Sequence, residues 1–177
     1  MLSVQMPQIT LRPMRESDFP LVVAWLNNPE VWAATVIGAF QPTAATDPDL
    51  RQWFSGKMVK NPFAFMIERP LDHQPLGTVG FKGVEKGKAE IEITIGDVHE
   101  WGKGYGRAAL LELLKLGFGE LGLNRIVAKV MKTNQRALAF YMRLGFVAAA
   151  QANVQSNLTE VFMDRSNYEM NLSAEVR

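Results

Sequence analysis

The chain has 177 residues, with 19 Lys and Arg against 18 Asp and Glu, so its bulk charge points to neither nucleic acid nor a membrane surface as partner. Apolar residues make up 47% and charged residues 21%, the balance of a globular chain long enough to bury a core; one domain over residues 1–177 is expected. The absence of cysteine excludes disulfides, thiolate metal sites and a cysteine nucleophile. Residues 1–8 lack the basic start and apolar centre of a signal peptide, and no apolar run is long enough to span a bilayer, so a cytoplasmic protein is the simplest reading.

Ile9 to Met14 alternates and predicts a first strand. Ser17 or Asp18 is the expected cap of a helix carrying Phe19, Val22, Val23 and Leu26 at helical spacing, and Asn27-Asn28-Pro29 should end it. Val31 to Thr46 has no clean period, and Asp47-Pro48 then opens a short helix through Leu50, Trp53, Phe54 and Met58. Three strands are predicted next, Phe63 to Glu68, Leu76 to Phe81 and Ala89 to Ile95, joined by turns at Arg69–Pro75 and Glu85–Lys88 into an antiparallel meander. In the third, Ile91, Ile93 and Ile95 share one face and Glu90, Glu92 and Thr94 the other.

A glycine-rich loop follows, and then an apolar helix from Ala108 to Phe118 with its stop at Gly122. Ile126 to Met131 predicts a strand that can lie parallel to Ala89–Ile95 as a βαβ unit. Thr133 or Asn134 caps a last helix ending at Gly145, Phe146 begins another strand, and Val161 to Leu172 is expected to supply the final strand, with a turn near Asp164–Asn167. The expected architecture is one α/β domain around a mixed sheet.

The chemistry concentrates in Trp101-Gly102-Lys103-Gly104-Tyr105-Gly106-Arg107. Glycines let backbone approach a ligand, and a helix N-terminus presents unpaired N–H groups and a positive dipole end, which together suit phosphate or pyrophosphate. Lys103 and Arg107 add positive charge. The alternative is a tight turn with no ligand. Gly104-Tyr-Gly106-Arg-Ala-Ala109 formally matches a dinucleotide fingerprint, but that motif wants an acid at the end of the next strand. No acid occurs between Glu120 and Glu160, and that span instead carries Arg125, Lys129, Lys132, Arg136 and Arg143. This argues against NAD and suits a ligand with several phosphates, such as coenzyme A. There is no Walker A sequence, and His73 and His99 are too isolated for a zinc site, so no metal is expected.

Ile95-Gly96-Asp97, Trp101-Gly-Lys-Gly-Tyr-Gly106 and Asn134-Gln-Arg-Ala-Leu-Ala-Phe-Tyr141-Met-Arg-Leu-Gly-Phe146 resemble the GNAT acyl-CoA N-acyltransferases. Leu11-Arg-Pro, Asp18 and Trp25-Leu-Asn-Asn-Pro-Glu30 resemble the RimJ/RimL-like branch of that superfamily. The resemblance implies the GNAT fold, class α/β (α+β): a single mixed, mostly antiparallel sheet of six to seven strands flanked by about four helices. It also implies acetyl-CoA as co-substrate and an acceptor that is a small-molecule or peptide amine, attacking the thioester directly. A monomer or homodimer is expected.

The resemblance further implies residue roles. Pyrophosphate would sit on Trp101 to Arg107, and pantetheine would pair like an added strand with Ile93, Thr94 and Ile95, a backbone N–H near Ile95 polarising the thioester carbonyl. Asn134 and Tyr141 are two helical turns apart and share a face with Ala137. Asn134 and Ala137 are expected against the cofactor, and Tyr141 beside its sulfur. A thiol titrates near pH ~8.5 and tyrosine near ~10, so Tyr141 is expected to stabilise the departing thiolate by a hydrogen bond rather than by prior proton transfer. Glu92 is the candidate base, with Glu68, Glu90, Glu100 and His99 as rivals. Trp32, Phe40 and Trp53 are candidates for the acceptor site, although at least half of the aromatics in that region should be core. The rival functions are a non-catalytic acyl-CoA-binding sensor and, more distantly, a nicotinamide-dependent oxidoreductase.

Overall fold

The structure, a computed structural model, describes residues 6–34, 48–150 and 156–175. Among these, seven strands form one mixed sheet: β1 (Thr10–Pro13), β2 (Ala64–Arg69), β3 (Gln74–Glu85), β4 (Lys88–Ile95), β5 (Arg125–Met131), β6 (Val147–Ala148) and β7 (Leu158–Asp164). Their order is β1-β2-β3-β4-β5-β7-β6. Six α-helices accompany them: α1 (Phe19–Leu26), α2 (Pro29–Ala34), α3 (Pro48–Phe54), α4 (Tyr105–Lys115), α5 (Gln135–Arg143) and α6 (Arg165–Glu175). By contacts the described chain forms two compact units, residues 6–33, 48–80 and 92–113 in the first and the remainder in the second.

In the first unit, β1 pairs antiparallel with β2, setting Leu11 opposite Ile67, and β2 pairs antiparallel with β3. Phe19, Val22, Val23 and Leu26 of α1 bury with Met14, Leu50, Phe54, Ala64 and Met66. Phe19 meets Phe54 edge-on at 5.3 Å. Each such fully buried large side chain contributes about 2 kcal/mol relative to an exposed one.

Asp18 precedes α1 as expected, but its carboxylate does not cap that helix. It accepts two bonds from the Arg12 guanidinium, each 2.8 Å, and one from the Arg15 N–H at 2.8 Å. Arg12 is nearly buried and needs the countercharge, so pairing wins over capping. Pro29 was expected only to end α1. It also opens α2, where its missing N–H costs nothing, and Asn28 Oδ1 accepts from the Glu30 N–H at 2.9 Å. After α3 the chain continues as a π turn, Ser55–Val59. Asp47, the expected cap of α3, lies outside the described residues.

The β3 strand is longer than its apolar stretch predicts, running on through Lys82 to Glu85. It joins β4 through Lys86-Gly87, both at positive φ (49° and 75°), the two-residue turn that matches strand twist. Gly77 lies in β3 because a Cβ there would stand 2.1 Å from the Thr94 carbonyl oxygen.

In the second unit, β4 and β5 pair in parallel over Lys88–Glu90, as the βαβ reading expects. The helix between them ends in a π turn, Leu116–Glu120, and stops at Gly122 (φ 63°). β7 inserts antiparallel between β5 and the two-residue β6. The C-terminus corrects the sequence expectation, which placed the last strand within Val161–Leu172 with a turn near Asp164–Asn167; the chain does leave the strand at that turn, but into a helix. The strand stops at Asp164 and α6 follows directly. Alternation fails after Asp164, and the helix is anchored by Arg165 donating to the Leu123 carbonyl (2.7 Å) and by Tyr168 stacking on Phe118 (4.8 Å). With α2 and α6, the described helices number six rather than about four.

Candidate active site

In the first unit the candidate residues run from the end of β4 into α4. Ile93, Thr94 and Ile95 are half-buried and Glu92 is exposed. Gly96 follows, held by its N–H to the Leu76 carbonyl (2.8 Å) and packed so closely on Trp25 that a Cβ would overlap the indole at 2.0 Å. Asp97 then caps a single turn, Val98–Glu100, through a 2.9 Å bond from the His99 N–H. Trp101 returns the chain toward β4, its indole N–H donating to the Ile95 carbonyl at 2.8 Å.

Gly102 and Gly104 adopt φ of 80° and 93°, a region that side-chain-bearing residues enter at a cost of about 1–2 kcal/mol. Among the described residues, and apart from its two chain neighbours, no atom lies within 4 Å of where a Cβ on Gly102 would stand. The loop therefore opens at Gly102 and feeds directly into the first turn of α4, whose leading N–H groups have no intrahelical acceptor. Open glycine backbone at a helix N-terminus fits the diphosphate of coenzyme A.

The loop's charges are less available than the sequence suggests. Lys103 is ion-paired with Glu100 at 3.0 Å, and Glu100 also meets Arg69 at 3.4 Å. Arg69 in turn binds Asp72 through two bonds of 2.9 and 2.7 Å and hydrogen-bonds Tyr105. Arg69's hydrogen bond holds the Asp72 carboxyl down at about 2. Arg107 is exposed. The role of Arg69 in bracing the loop was not legible, because 31 residues separate it from Glu100.

In the second unit, Asn134 caps α5. Its Oδ1 accepts from the Ala137 N–H at 3.0 Å, and its Nδ2 donates to the Ala34 carbonyl at 3.1 Å. Ala137's amide is thus committed within the helix. Tyr141 is buried, its ring in edge contact with Phe140 (5.3 Å) and Phe146 (5.1 Å).

Of the candidate bases, Glu68 is paired with Arg12 and lies 4.0 Å from His73. Glu90 bridges Lys82 and Lys129, 3.0 Å from each. Glu100 is held as described. His99, like Glu92, is exposed. Among the acceptor-site candidates, Trp53 packs against the core of the first unit, as does Trp25, and Phe54 is fully buried there. Trp32 is half-buried on α2, and Phe40 lies outside the described residues. No cluster of metal-ligating side chains occurs among the described residues, and no helix there is long and apolar enough to cross a membrane.

Comparison with known proteins agrees with this geometry. The family model described as an acetyltransferase (GNAT) domain matches residues 8–147. The chain is 28% identical to an N-acetyltransferase 9-like protein of Nematostella vectensis, covering 96% of this chain and 88% of that protein. It is 31% identical to an uncharacterized N-acetyltransferase, p20, of Bacillus licheniformis, covering 78% of this chain and 79% of the other. Among solved structures, the spermidine N-acetyltransferase of Vibrio cholerae in complex with CoA and spermine superposes with a TM-score of 0.74 at 21% identity, over 92% of this chain and 98% of that one. A domain from Methanocaldococcus jannaschii does so equally well, with a TM-score of 0.74 at 21% identity, over 89% and 98%. The chain belongs to the GNAT acetyltransferase family, has its fold, and is an acyltransferase that uses acetyl-CoA.

Proposed function

We propose that this chain, as one catalytic domain, transfers the acetyl group of acetyl-CoA to a primary amine by direct attack of the amine on the thioester. The observation that carries the reading is the glycine turn leading into α4, open at Gly102 and with both Gly102 and Gly104 at positive φ. Backbone N–H groups from Gly102 to Arg107 bind the diphosphate, with Gly106 in the first turn of the helix. Ile93 and Ile95 hold the pantetheine chain by backbone pairing, while Thr94 between them turns its backbone groups toward β3 and does not pair with the ligand; the Ile95 N–H donates to the thioester carbonyl. The amine forms the new C–N bond as the C–S bond breaks. Glu92 takes the proton lost by the amine, directly or through water, and the Tyr141 hydroxyl stabilises the departing thiolate before it is protonated. Asn134 and Ala137 form the first turn of the helix that carries Tyr141. Trp32, half-buried on α2, lines the acceptor side. Trp53 acts there only through its outer edge, since its packing is against the core.

The Leu11-Arg12-Pro13 opening and Asp18, which the Arg12 pairing ties together, support a place in the RimJ/RimL-like branch. The amine is a small molecule or a peptide N-terminus. The spermine-bound relative makes a polyamine the first acceptor to try. Calorimetric titration with acetyl-CoA, with NADH as comparison, tests the donor, and CoA release across a panel of polyamines, amino sugars and N-terminal peptides tests the acceptor. Micromolar binding of acetyl-CoA alone, followed by amine-dependent CoA release, is the expected result. Binding with no release on any amine would leave a sensor and overturn the catalytic reading.

A further inference from the structure

One side chain ties the glycine loop to the end of β4: the Trp101 indole N–H donates to the Ile95 carbonyl at 2.8 Å. The edge on which that carbonyl lies follows from its neighbours. A Cβ on Gly77 would meet the Thr94 carbonyl oxygen at 2.1 Å, and the Gly96 N–H donates to Leu76 at 2.8 Å, so Thr94 and Gly96 present their backbone groups to β3. Successive strand residues direct these groups to opposite edges, so those of Ile93 and Ile95 lie on the edge away from β3. The turn that returns Trp101 to this edge is fixed by the Asp97 cap on His99, by the Glu100 N–H to Asp97 (3.0 Å) and by the Trp101 N–H to Val98 (3.2 Å).

An extended ligand that pairs with such an edge has two registers, one two-residue repeat or about 7 Å apart, with its amide donor on the Ile93 carbonyl or on that of Ile95. The indole N–H already takes one lone pair of the second acceptor, so a ligand amide there would have to share it. We propose that Trp101 is a positioning residue that fixes the register of the pantetheine chain on β4, so that the thioester carbonyl meets the Ile95 N–H and does not overshoot it. The proposal rests on the acetyl-transfer reading of the site.

Trp101→Phe removes the donor and keeps an aromatic ring. Turnover of the best amine in the panel should fall about tenfold or more, while affinity for CoA, measured by calorimetry, stays within about threefold. Trp101→His, which retains a ring N–H, should recover part of the turnover. Unchanged turnover in Trp101→Phe overturns the proposal. So does a loss of CoA affinity as large as the loss of turnover, the mark of a residue that merely supports the loop. A second measurement needs neither variants nor turnover. In the free wild-type protein the Trp101 indole N–H should exchange with solvent at least about tenfold more slowly than an exposed indole. Exchange at the exposed rate overturns the tie itself. Failure of the wild type to bind acetyl-CoA overturns the reading beneath the proposal and is seen before any variant is made.

Discussion

Asp18 shows how a residue's neighbours in space replace its role in sequence. Its position before an apolar helix marks it as a cap, yet its carboxylate binds Arg12, seven-eighths buried, which also pairs with Glu68. Burial alone would raise the Asp18 pKa, but the hydrogen bonds from Arg12 and from the Arg15 N–H outweigh it and hold the carboxyl below its ordinary value. A depressed carboxylate contributes stability above the ordinary range, near pH ~4, and loses it as pH falls through the folded value. Asp18→Asn should therefore cost about 3 kcal/mol at neutral pH and flatten the acid side of the stability curve, read by denaturant melts at pH 7 and pH 3. Tyr141 is the opposite case, because its candidacy came with the family resemblance of the Asn134–Phe146 segment and not from its neighbours in space. Its ring is held by Phe140 and Phe146, which leaves the hydroxyl as the chemically distinctive part. Tyr141→Phe should leave the melting temperature and CoA affinity nearly unchanged and lower turnover about ten- to a thousandfold. Equal turnover would remove Tyr141 from the reaction.

At the scale of elements, strand–glycine loop–helix was readable because it is local: β-branched alternation, three glycines and an apolar helical repeat follow one another. Gly102→Glu tests the loop with little steric disturbance, since the Cβ position is open and only the positive φ is strained. It should weaken CoA binding at least about a hundredfold by placing an anion at the proposed diphosphate site, measured calorimetrically; retained affinity would make the loop only a turn. Gly77→Ala tests a different feature of the same region. A Cβ there meets backbone at 2.1 Å, which no side-chain rotation relieves, so β3 and β4 must part. A loss of about 2 kcal/mol or more is expected in chemical denaturation. The brace from Arg69 to Glu100 was not legible because 31 positions separate them, and those from Lys103 to Glu100 and from Trp101 to Ile95, though close in sequence, depend on how the turn at Val98–Glu100 folds back. The C-terminal helix was misread for a related reason. Nothing local in Arg165–Leu172 demands a helix, whereas Phe118 and the Leu123 carbonyl supply the partners that fix one.

Across the whole molecule, acid should act on both compact units. Asp18 and Asp72 lie in the first and Asp164 in the second, and all three carboxyls are held below their ordinary values. Asp164 owes this to its two bonds from Arg125, 2.6 and 2.8 Å. The melting temperature should therefore be flat near neutrality and fall as pH drops below about 4; a curve still flat at pH 3 would show that these pairs contribute nothing. Apart from α2 and α6, the order of helices and strands, the parallel β4–β5 pair around a helix, the glycine loop and the Asn134-capped α5 followed from the sequence, because periodicity, capping and glycine placement act over a few residues. Tertiary structure alone decided that Asp18 and Glu68 pair with Arg12 and Glu100 with Arg69, that Trp53 packs against a core, and that β7 enters the sheet between β5 and β6. Those outcomes depend on contacts between segments far apart in the chain, where burial and countercharge decide and local pattern carries no information about the partner.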